Sequence, residues 1–295
     1  MPSEHRTGLL LLLGATLAWS SAGLFARAIP LDTPTVILWR GMFGAAGLIG
    51  LLVLLKGWRG FADFTRLGGA GLLYALASGL GMLSFVGALK ATTIAHVAII
   101  YATVPFAAAA LGWLVLRERP SRAALGASSV ALAGAVTMVG LGGEGQLAGD
   151  LMAMVMVICM ATVMVIARAR PRLPTLAAGA LSSIWAPLAS LPFATSEAIT
   201  PATIALLAGF GLINTSLGFG LFIFGSRHLP AVTTALIGAL ETPLTPLWVW
   251  LVFDESPPAP TLIGGVVVFA AVLWFIRQES RPSRAQTADL MPPPP

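Results

Sequence analysis

The sequence is short of charge, cysteine and long polar stretches, and each shortage excludes a class of protein. Only 10% of the 295 residues are charged, against roughly 25% in soluble domains, whereas 57% are hydrophobic. The single cysteine, Cys159, lies in an apolar run and permits neither an intrachain disulfide nor a cysteine metal cluster. No loop is long enough to hold a soluble domain. The composition is that of a polytopic integral membrane protein.

Motifs for nucleotide binding and for intramembrane catalysis are also missing. Neither G-x-x-x-x-G-K-[ST] nor a strand-flanked G-x-G-x-x-G occurs, which excludes the common phosphate-binding loops. An intramembrane enzyme would use paired carboxylates on one helix face or a metal cluster, and the chain has neither. We therefore expect no enzymatic activity, no cofactor and no metal site. The basic residues are scattered through loops despite a pI near 10.3, which argues against nucleic-acid binding.

Apolar segments of the length that crosses a bilayer are abundant. A hydrocarbon core of about 30 Å needs about 17–25 helical residues, and ten segments qualify. The first is similar to a signal peptide, but its apolar run is longer than a usual signal sequence, so we interpret it as an uncleaved span. The predicted spans are 8–26, 34–55, 68–89, 92–116, 122–141, 149–167, 174–194, 203–225, 230–252 and 260–276.

Lys and Arg residues are unequally divided between the two faces of the predicted bundle. Fourteen of the 17 lie in the N-terminus, in loops 2–3, 4–5, 6–7 and 8–9, and in the C-terminus. The other loops hold only Arg27 and Lys90, and Arg40 lies inside the second span. Because loops rich in Lys and Arg stay in the cytoplasm, we expect both termini there and the protein in a bacterial-type inner membrane.

An internal repeat divides the ten spans into two sets of five. A shift of 138 residues overlays 85–106 on 223–244 and pairs Pro105 with Pro243, both of which are expected to kink their helices. Since five is odd, the halves cross the membrane in opposite directions, as in alternating-access transporters with a midplane site. We expect an all-α integral membrane protein whose ten transmembrane helices form two inverted five-helix repeats around a central cavity. The predicted units are a first repeat at 1–141, a second, inverted repeat at 149–276 and a disordered tail at 278–295.

These features resemble the EamA-type transporters of the drug/metabolite transporter superfamily. The resemblance rests on the two five-helix halves, the Pro in the fourth helix of each, the Glu-x-Pro motifs at Glu118 and Glu255, and the run ETPLTP from Glu241. It covers 8–276 and is greatest for bacterial exporters of amino acids, including aromatic ones. It implies helices 1–4 and 6–9 around the cavity, helices 5 and 10 at the periphery, and a chain that functions as a monomer.

Glu241 is the residue around which a site is predicted. It lies in an apolar run, where an ionised carboxylate costs at least about 2.5–3.5 kcal/mol and is usually found facing protein or water. Pro243 has no N–H for the Ala239 carbonyl, which predicts a polar gap beside the acid. Trp248 follows on the same helical face, and Thr103 occupies the matching position in the first repeat. Two roles stay open: binding a substrate amine or a proton, or a protonated acid that bonds a neighbouring helix across the kink.

Other polar and aromatic residues inside the spans are candidates for substrate binding or gating. Arg40 suits a carboxylate clamp, with snorkelling to the headgroups or pairing with a structural acid as the alternative. His96, about five residues into its span, could serve a proton-linked gate or act as a neutral packing group. Asp150, at the start of the sixth span, is interpreted as a solvated boundary charge. The remaining candidates are Trp19, Ser20, Tyr74, Tyr101 and Asn214.

The leading hypothesis is a secondary transporter of small organic solutes, with amino acids favoured as substrates and export as the direction. An acid opposite a cation would suit a zwitterion, and aromatic walls would suit an apolar or aromatic side chain. Uptake of a vitamin or another metabolite is the alternative. A nucleotide-sugar-type antiporter on the same fold should present two or more basic groups to phosphate, and the spans offer at most Arg40 and Lys90. The expected partners are the substrate and the lipid bilayer.

Overall fold

The computed structural model of the chain is helical throughout its described residues, which contain no strand. Ten stretches in this part of the chain are long and apolar enough to cross a membrane, which confirms the predicted fold class. Glu255 of the second Glu-x-Pro motif and the predicted tail, apart from residues 278 and 279, lie outside the described residues. The described residues are 3–140, 146–195, 199–254 and 256–279.

The spans differ in whether their helices are continuous. Spans 2, 3, 5, 6, 7 and 10 are single helices at Thr33–Lys56, Gly68–Ala91, Arg122–Val139, Leu147–Ala169, Thr175–Ser190 and Ala259–Glu279. Spans 1, 4 and 9 are each broken into two, at Ser3–Ser20 and Ala22–Ala28, Ile94–Tyr101 and Val104–Leu116, and Ala231–Gly238 and Glu241–Phe253. Span 8 contains a π-helix, Gly211–Gly218, between Pro201–Phe210 and Phe219–Gly225.

The packing of the spans follows the internal repeat. Spans 3 and 6 pack together, and so do spans 8 and 1, which correspond to them in the other repeat. In the same way, the contact between spans 4 and 6 corresponds to that between spans 9 and 1. The contact between spans 2 and 8 corresponds to that between spans 7 and 3. Spans 2 and 7 pair with each other, as do spans 5 and 10. Each contact thus recurs when five is added to the span numbers, as expected for a pseudo-twofold axis between inverted repeats.

Spans 4 and 9 also end in the same way. Arg117 and Asp254 close them in the left-handed region, with φ of 57° and 56°. Their N–H groups donate to the carbonyls of Trp113 at 3.0 Å and Trp250 at 2.9 Å. A non-glycine residue in this region is uncommon, so its occurrence at matched positions indicates that the repeat extends to the backbone conformation.

Glycines allow the spans around the centre to approach closely. A Cβ on Gly41 would collide with the ring of Pro187 in span 7, and a Cβ on Gly44 would lie 2.5 Å from Cβ of Thr215 in span 8. These contacts show that glycines of span 2 serve close helix packing. Large apolar side chains such as Leu54, which is 84% exposed, face outward, where a bilayer would cover them.

Candidate functional site

The breaks in spans 4 and 9 face each other near the centre of the bundle. Span 4 stops at Tyr101 and resumes at Val104, and span 9 stops at Gly238 and resumes at Glu241. The second half of span 4 packs against the first half of span 9. Pro105 and Pro243 lie in the first turn of the resumed helices, where proline is tolerated because its missing N–H would have no helical partner. The helices therefore break just before the prolines.

The predicted polar gap beside Glu241 does not occur. Pro243 cannot donate to the Ala239 carbonyl, but the N–H of Thr242 does so at 3.2 Å. The chain tightens into a three-residue turn at the break, a common way to satisfy carbonyls at a helix end. Glu241 then begins the next helix, where the helix dipole favours a negative side chain.

Tyr101 and Glu241 join the two breaks. The Tyr101 hydroxyl donates to Oε2 of Glu241 at 3.2 Å, and both side chains are half-buried. The bond runs from the last residue of one half-helix to the first residue of another, in opposite repeats. Thr103, the repeat partner of Glu241, instead donates its hydroxyl to the carbonyl of Ile100 at 2.6 Å. The two breaks are therefore alike in backbone and different in chemistry.

Arg40 points its guanidinium at neutral groups. Nη1 lies 3.5 Å from Oδ1 of Asn214, and the guanidinium carbon lies 4.9 Å from the centre of the Phe210 ring. No ion pair joins Arg40 to a carboxylate in the described part of the chain, although its charge interacts with that of Glu241. The alternative of a structural acid as partner is thus not realised among these residues.

Four further candidates form hydrogen bonds between spans 1, 8 and 9, namely Trp19, Ser20, Asn214 and Trp248. The Asn214 amide donates to the carbonyls of Trp19 at 3.0 Å and Ala18 at 3.4 Å, which connects span 8 to span 1. The Trp248 indole donates to Oγ of Ser20 at 2.8 Å, which connects span 9 to span 1. The predicted aromatic and polar residues of spans 8 and 9 are therefore both hydrogen-bonded to span 1.

A narrow cavity passes between the two breaks. It is lined by Tyr101 and Pro105 from span 4, by Gly238 and Thr242 from span 9, and by Trp19 from span 1, and its volume is about 20 Å³. This is room for about one water molecule. In this conformation the cavity between the two breaks is therefore closed to anything as large as an organic solute.

His96 and Tyr74 lie away from this centre. His96 is in the first turn of span 4, nearer the helix end than the sequence predicted, and its Nδ1 lies 3.1 Å from Oδ2 of Asp150 in span 6. Asp150 also accepts from the Thr92 hydroxyl at 2.8 Å, so it is not simply a solvated boundary charge. Tyr74 is fully buried beside the Phe219 ring, and its hydroxyl has no hydrogen-bond partner among the described residues.

A network of hydrogen bonds at the arginine-rich face was not predicted from the sequence. Arg168 Nε lies 3.1 Å from Oε1 of Glu118, in the first Glu-x-Pro motif, and Nη1 of Arg168 donates to the carbonyl of Arg227 at 3.3 Å. Arg227 in turn donates to the carbonyl of Leu173 at 3.0 Å and to the hydroxyl of Thr175. Burial lowers the pKa of Arg227. The network joins the first repeat to three parts of the second.

Phe210 is the other residue that the sequence did not single out, since one phenylalanine among 14 carries no signal of its own. Its spacing of four residues before Asn214 places the two on one face of span 8, which becomes informative only once Arg40 is known to lie opposite.

Within the described ranges, no group of three or more His, Cys, Asp and Glu side chains comes together to hold a metal ion.

The fold and this centre define a helical membrane protein with inverted repeats and a polar, aromatic core at the two helix breaks. The chain belongs to the EamA-like transporter family, whose profile matches residues 6–140 and 147–277. The profile thus matches once in each predicted repeat.

Individual relatives are more distant. A biotin transporter of Escherichia coli (strain K12) is 27% identical over 84 residues, which are 28% of each protein. Protein FptB of Pseudomonas aeruginosa is 44% identical over 72 residues, 23% of this chain and 76% of FptB. The chain thus spans little more than a quarter of the biotin transporter that it matches. One crystal structure of a protein superposes on this chain with a TM-score of 0.78. The superposition covers 93% of this chain and 99% of the other, and the two sequences are 17% identical, so this likeness shows the fold alone.

Proposed function

We propose that the protein is a secondary transporter of small organic solutes, that its substrates are amino acids, and that it exports them across the inner membrane. The observation that carries the proposal is a half-buried Glu241 carboxylate in the same bundle as a half-buried Arg40 guanidinium that has no carboxylate partner among the described residues. A zwitterion offers an ammonium for the first group and a carboxylate for the second, which a guanidinium binds bidentately.

The surrounding rings support a substrate with an apolar or aromatic side chain. Trp19 and Tyr101 line the cavity between the breaks, and Phe210 lies against the guanidinium. The half-buried Trp248 bonds Ser20, the residue next to Trp19. Small-molecule sites commonly combine apolar walls with a few placed polar groups. The closed cavity supports alternating access, because the substrate would bind only after the two repeats move apart.

Vitamin uptake is the second candidate, and the similarity to biotin transporters favours it. Biotin carries a carboxylate but no amine, so it would use Arg40 and leave Glu241 without a charged partner. Glu241→Gln therefore separates the two candidates. It should lower transport of an amino acid at least about tenfold and leave transport of biotin nearly unchanged.

We further propose that both termini lie in the cytoplasm and that the monomer is the functional unit. The distribution of Lys and Arg supports the orientation, and the presence of both repeats in one chain supports the monomer. The orientation can be tested in a Cys159→Ala background by adding single cysteines to loops on either face. An impermeant thiol reagent applied outside should label cysteines placed beside Arg27 and leave those beside Arg170 unlabelled. The reverse pattern would contradict the orientation.

Counterflow in proteoliposomes tests the function itself. Vesicles loaded with an unlabelled solute take up a labelled one only if a single carrier exchanges both. The panel should contain aromatic, aliphatic and charged amino acids, biotin and a nucleoside. We expect exchange with apolar or aromatic amino acids. Exchange with biotin alone would favour the second candidate, and absence of exchange with every amino acid would overturn the first.

A further inference from the structure

Arg40 is anchored by a widened turn in span 8. A π-helix has one extra residue in each turn and is often found at functional sites, and here it covers Gly211–Gly218, directly opposite Arg40. A Cβ on Gly211 would lie 2.5 Å from the carbonyl oxygen of Arg40 and 2.7 Å from Cβ of Phe43. Only glycine therefore lets the two backbones meet at the level of Arg40.

Ser216 secures the widened turn. Its hydroxyl lies 3.0 Å from the carbonyl oxygen of Gly44 in span 2 and 3.4 Å from that of Gly211, five residues earlier. The first contact ties the π-helix to the helix that carries Arg40, and the second spans the wide turn. The register of span 8 against span 2 is thereby specified by polar contacts as well as by close packing.

Asn214 has one orientation available. Its side chain is 8% exposed, and its NH₂ group is directed at the carbonyls of Trp19 and Ala18. Because only the amide oxygen of asparagine accepts hydrogen bonds, Oδ1 is left to face the guanidinium of Arg40 at 3.5 Å. A third helix, span 1, therefore determines the direction in which Asn214 points toward Arg40.

Phe210 completes the arrangement. The guanidinium of Arg40 lies 4.9 Å from its ring centre, and the ring itself stacks on Phe25 at 5.1 Å with an interplanar angle of 9°. Stacking limits the movement of the ring, and a guanidinium is attracted to an aromatic face. Both partners of Arg40 are thus fixed by other helices, and both are neutral.

We infer that Phe210, which directly precedes the π-helix of span 8, and Asn214, which lies within it, are positioning residues that hold Arg40 as the group that binds the substrate's carboxylate. The inference rests on the proposed function and adds the reason why the transporter would select substrates that carry a carboxylate. Neutral partners orient the guanidinium without neutralising it, so its charge remains available to a carboxylate. An acidic partner in the place of Asn214 would occupy the same group.

Kinetics in proteoliposomes with full-length protein test the role of Phe210. Phe210→Leu should raise the KM for the carboxylated substrate about tenfold, as expected for a cation–π contact of a desolvated guanidinium. It should leave kcat and the inhibition constant of the corresponding decarboxylated amine nearly unchanged. Phe43→Leu, in the same apolar cluster, is the matched control and should change neither, and Phe210→Tyr should restore the KM.

Asn214→Asp tests the electrostatic part of the inference. The new carboxylate would lie beside the guanidinium and compete with the substrate, so the KM for the carboxylated solute should rise more than tenfold while the amine still inhibits. An unchanged KM in both Phe210→Leu and Asn214→Asp would overturn the inference, as would an equal loss for the solute and the amine. If Asn214→Asp fails to insert, the Phe210 series decides alone.

The outcome can be separated from that of the proposed function. If a carboxylated solute other than an amino acid is exchanged, the proposed function fails and the same kinetics are measured with that solute. If nothing is exchanged, the apparent Tm of the purified protein provides the measurement. Arg40→Met and Phe210→Leu should then shift Tm non-additively because the residues interact, whereas additive shifts would overturn the inference.

Discussion

The hydroxyl of Tyr101 donates to the carboxylate of Glu241 at 3.2 Å, across 140 residues of chain and between opposite repeats. Each residue lies where its own span is interrupted, so the bond connects the two points at which the helices are already broken. Any separation of the repeats at their centre must break or replace it. A substrate amine that enters would be the natural replacement partner for the carboxylate.

Tyr101→Phe should raise kcat/KM for the proposed amino-acid substrate by up to about tenfold, because the bond that it removes must otherwise break before the substrate amine can reach Glu241. The substitution keeps the ring and removes a hydrogen bond to a charged group, for which about 1.5 kcal/mol is typical. Counterflow rates over a range of substrate concentrations give the value. The chain supplies its own control, because it has only two tyrosines and the Tyr74 hydroxyl lacks a hydrogen-bond partner among the described residues. Tyr74→Phe should leave transport unchanged, and equal kcat/KM values in the two variants, or a loss in Tyr101→Phe, would contradict the role given to Tyr101.

Gly44→Ala should destabilise the protein by about 1–3 kcal/mol, because the added methyl group overpacks the contact with Thr215. Gly50 lies in the same helix with no atom within 4 Å of an added Cβ. Gly50→Ala should therefore be neutral or stabilising by up to about 1 kcal/mol. Unfolding in mixed micelles compares the variants. Equal stability of the two variants would contradict the close contact between Gly44 and Thr215.

The Glu118–Arg168 pair should contribute about 0.2–1 kcal/mol, because both side chains are about one-third exposed. A double-mutant cycle with Glu118→Gln and Arg168→Met measures this coupling by unfolding. The coupling should decrease as salt is added. A coupling that is absent at low salt would show that the repeats are not joined at this point.

Asp32 should give the protein a stability that depends on pH between about 4 and 2. Burial raises the pKa of this carboxyl, but hydrogen bonds from Thr195 and Thr35 outweigh that effect and lower it to about 2. A lowered pKa stabilises the folded state above the unfolded pKa of about 3.9, and that contribution is lost as the pH falls through the folded value. The difference in apparent Tm between wild type and Asp32→Asn should therefore shrink from pH 5 to pH 2. A constant difference would contradict the assignment.

The coarse architecture could be predicted because it depends on local properties of the chain. Span length follows from hydropathy, and the pairing of halves follows from matched residues such as Pro105 and Pro243. The kinks were predicted at the prolines, but the helices break before them, since a proline fits the first turn of a new helix. That shift moves Glu241 from the interior of a helix to a helix start.

The partners of the polar groups could not be predicted, because they depend on packing between distant segments. The π-helix in span 8 is stabilised by Ser216 and Gly44, which are 172 residues apart. Arg40 was identified as a lone cation, but its contacts with Phe210 and Asn214 require the register of span 8. His96 was judged by its depth, whereas its contact with Asp150 comes from a helix in the other repeat.

Amino-acid counterflow by Arg40→Met and Glu241→Gln, reconstituted at equal protein density beside the wild type, tests the central claim most directly. Each variant removes one of the two charges proposed to bind the zwitterion and keeps a side chain of similar size. We predict that each lowers kcat/KM at least tenfold, about the value of one charge-assisted hydrogen bond. Wild-type exchange in both variants would contradict the account.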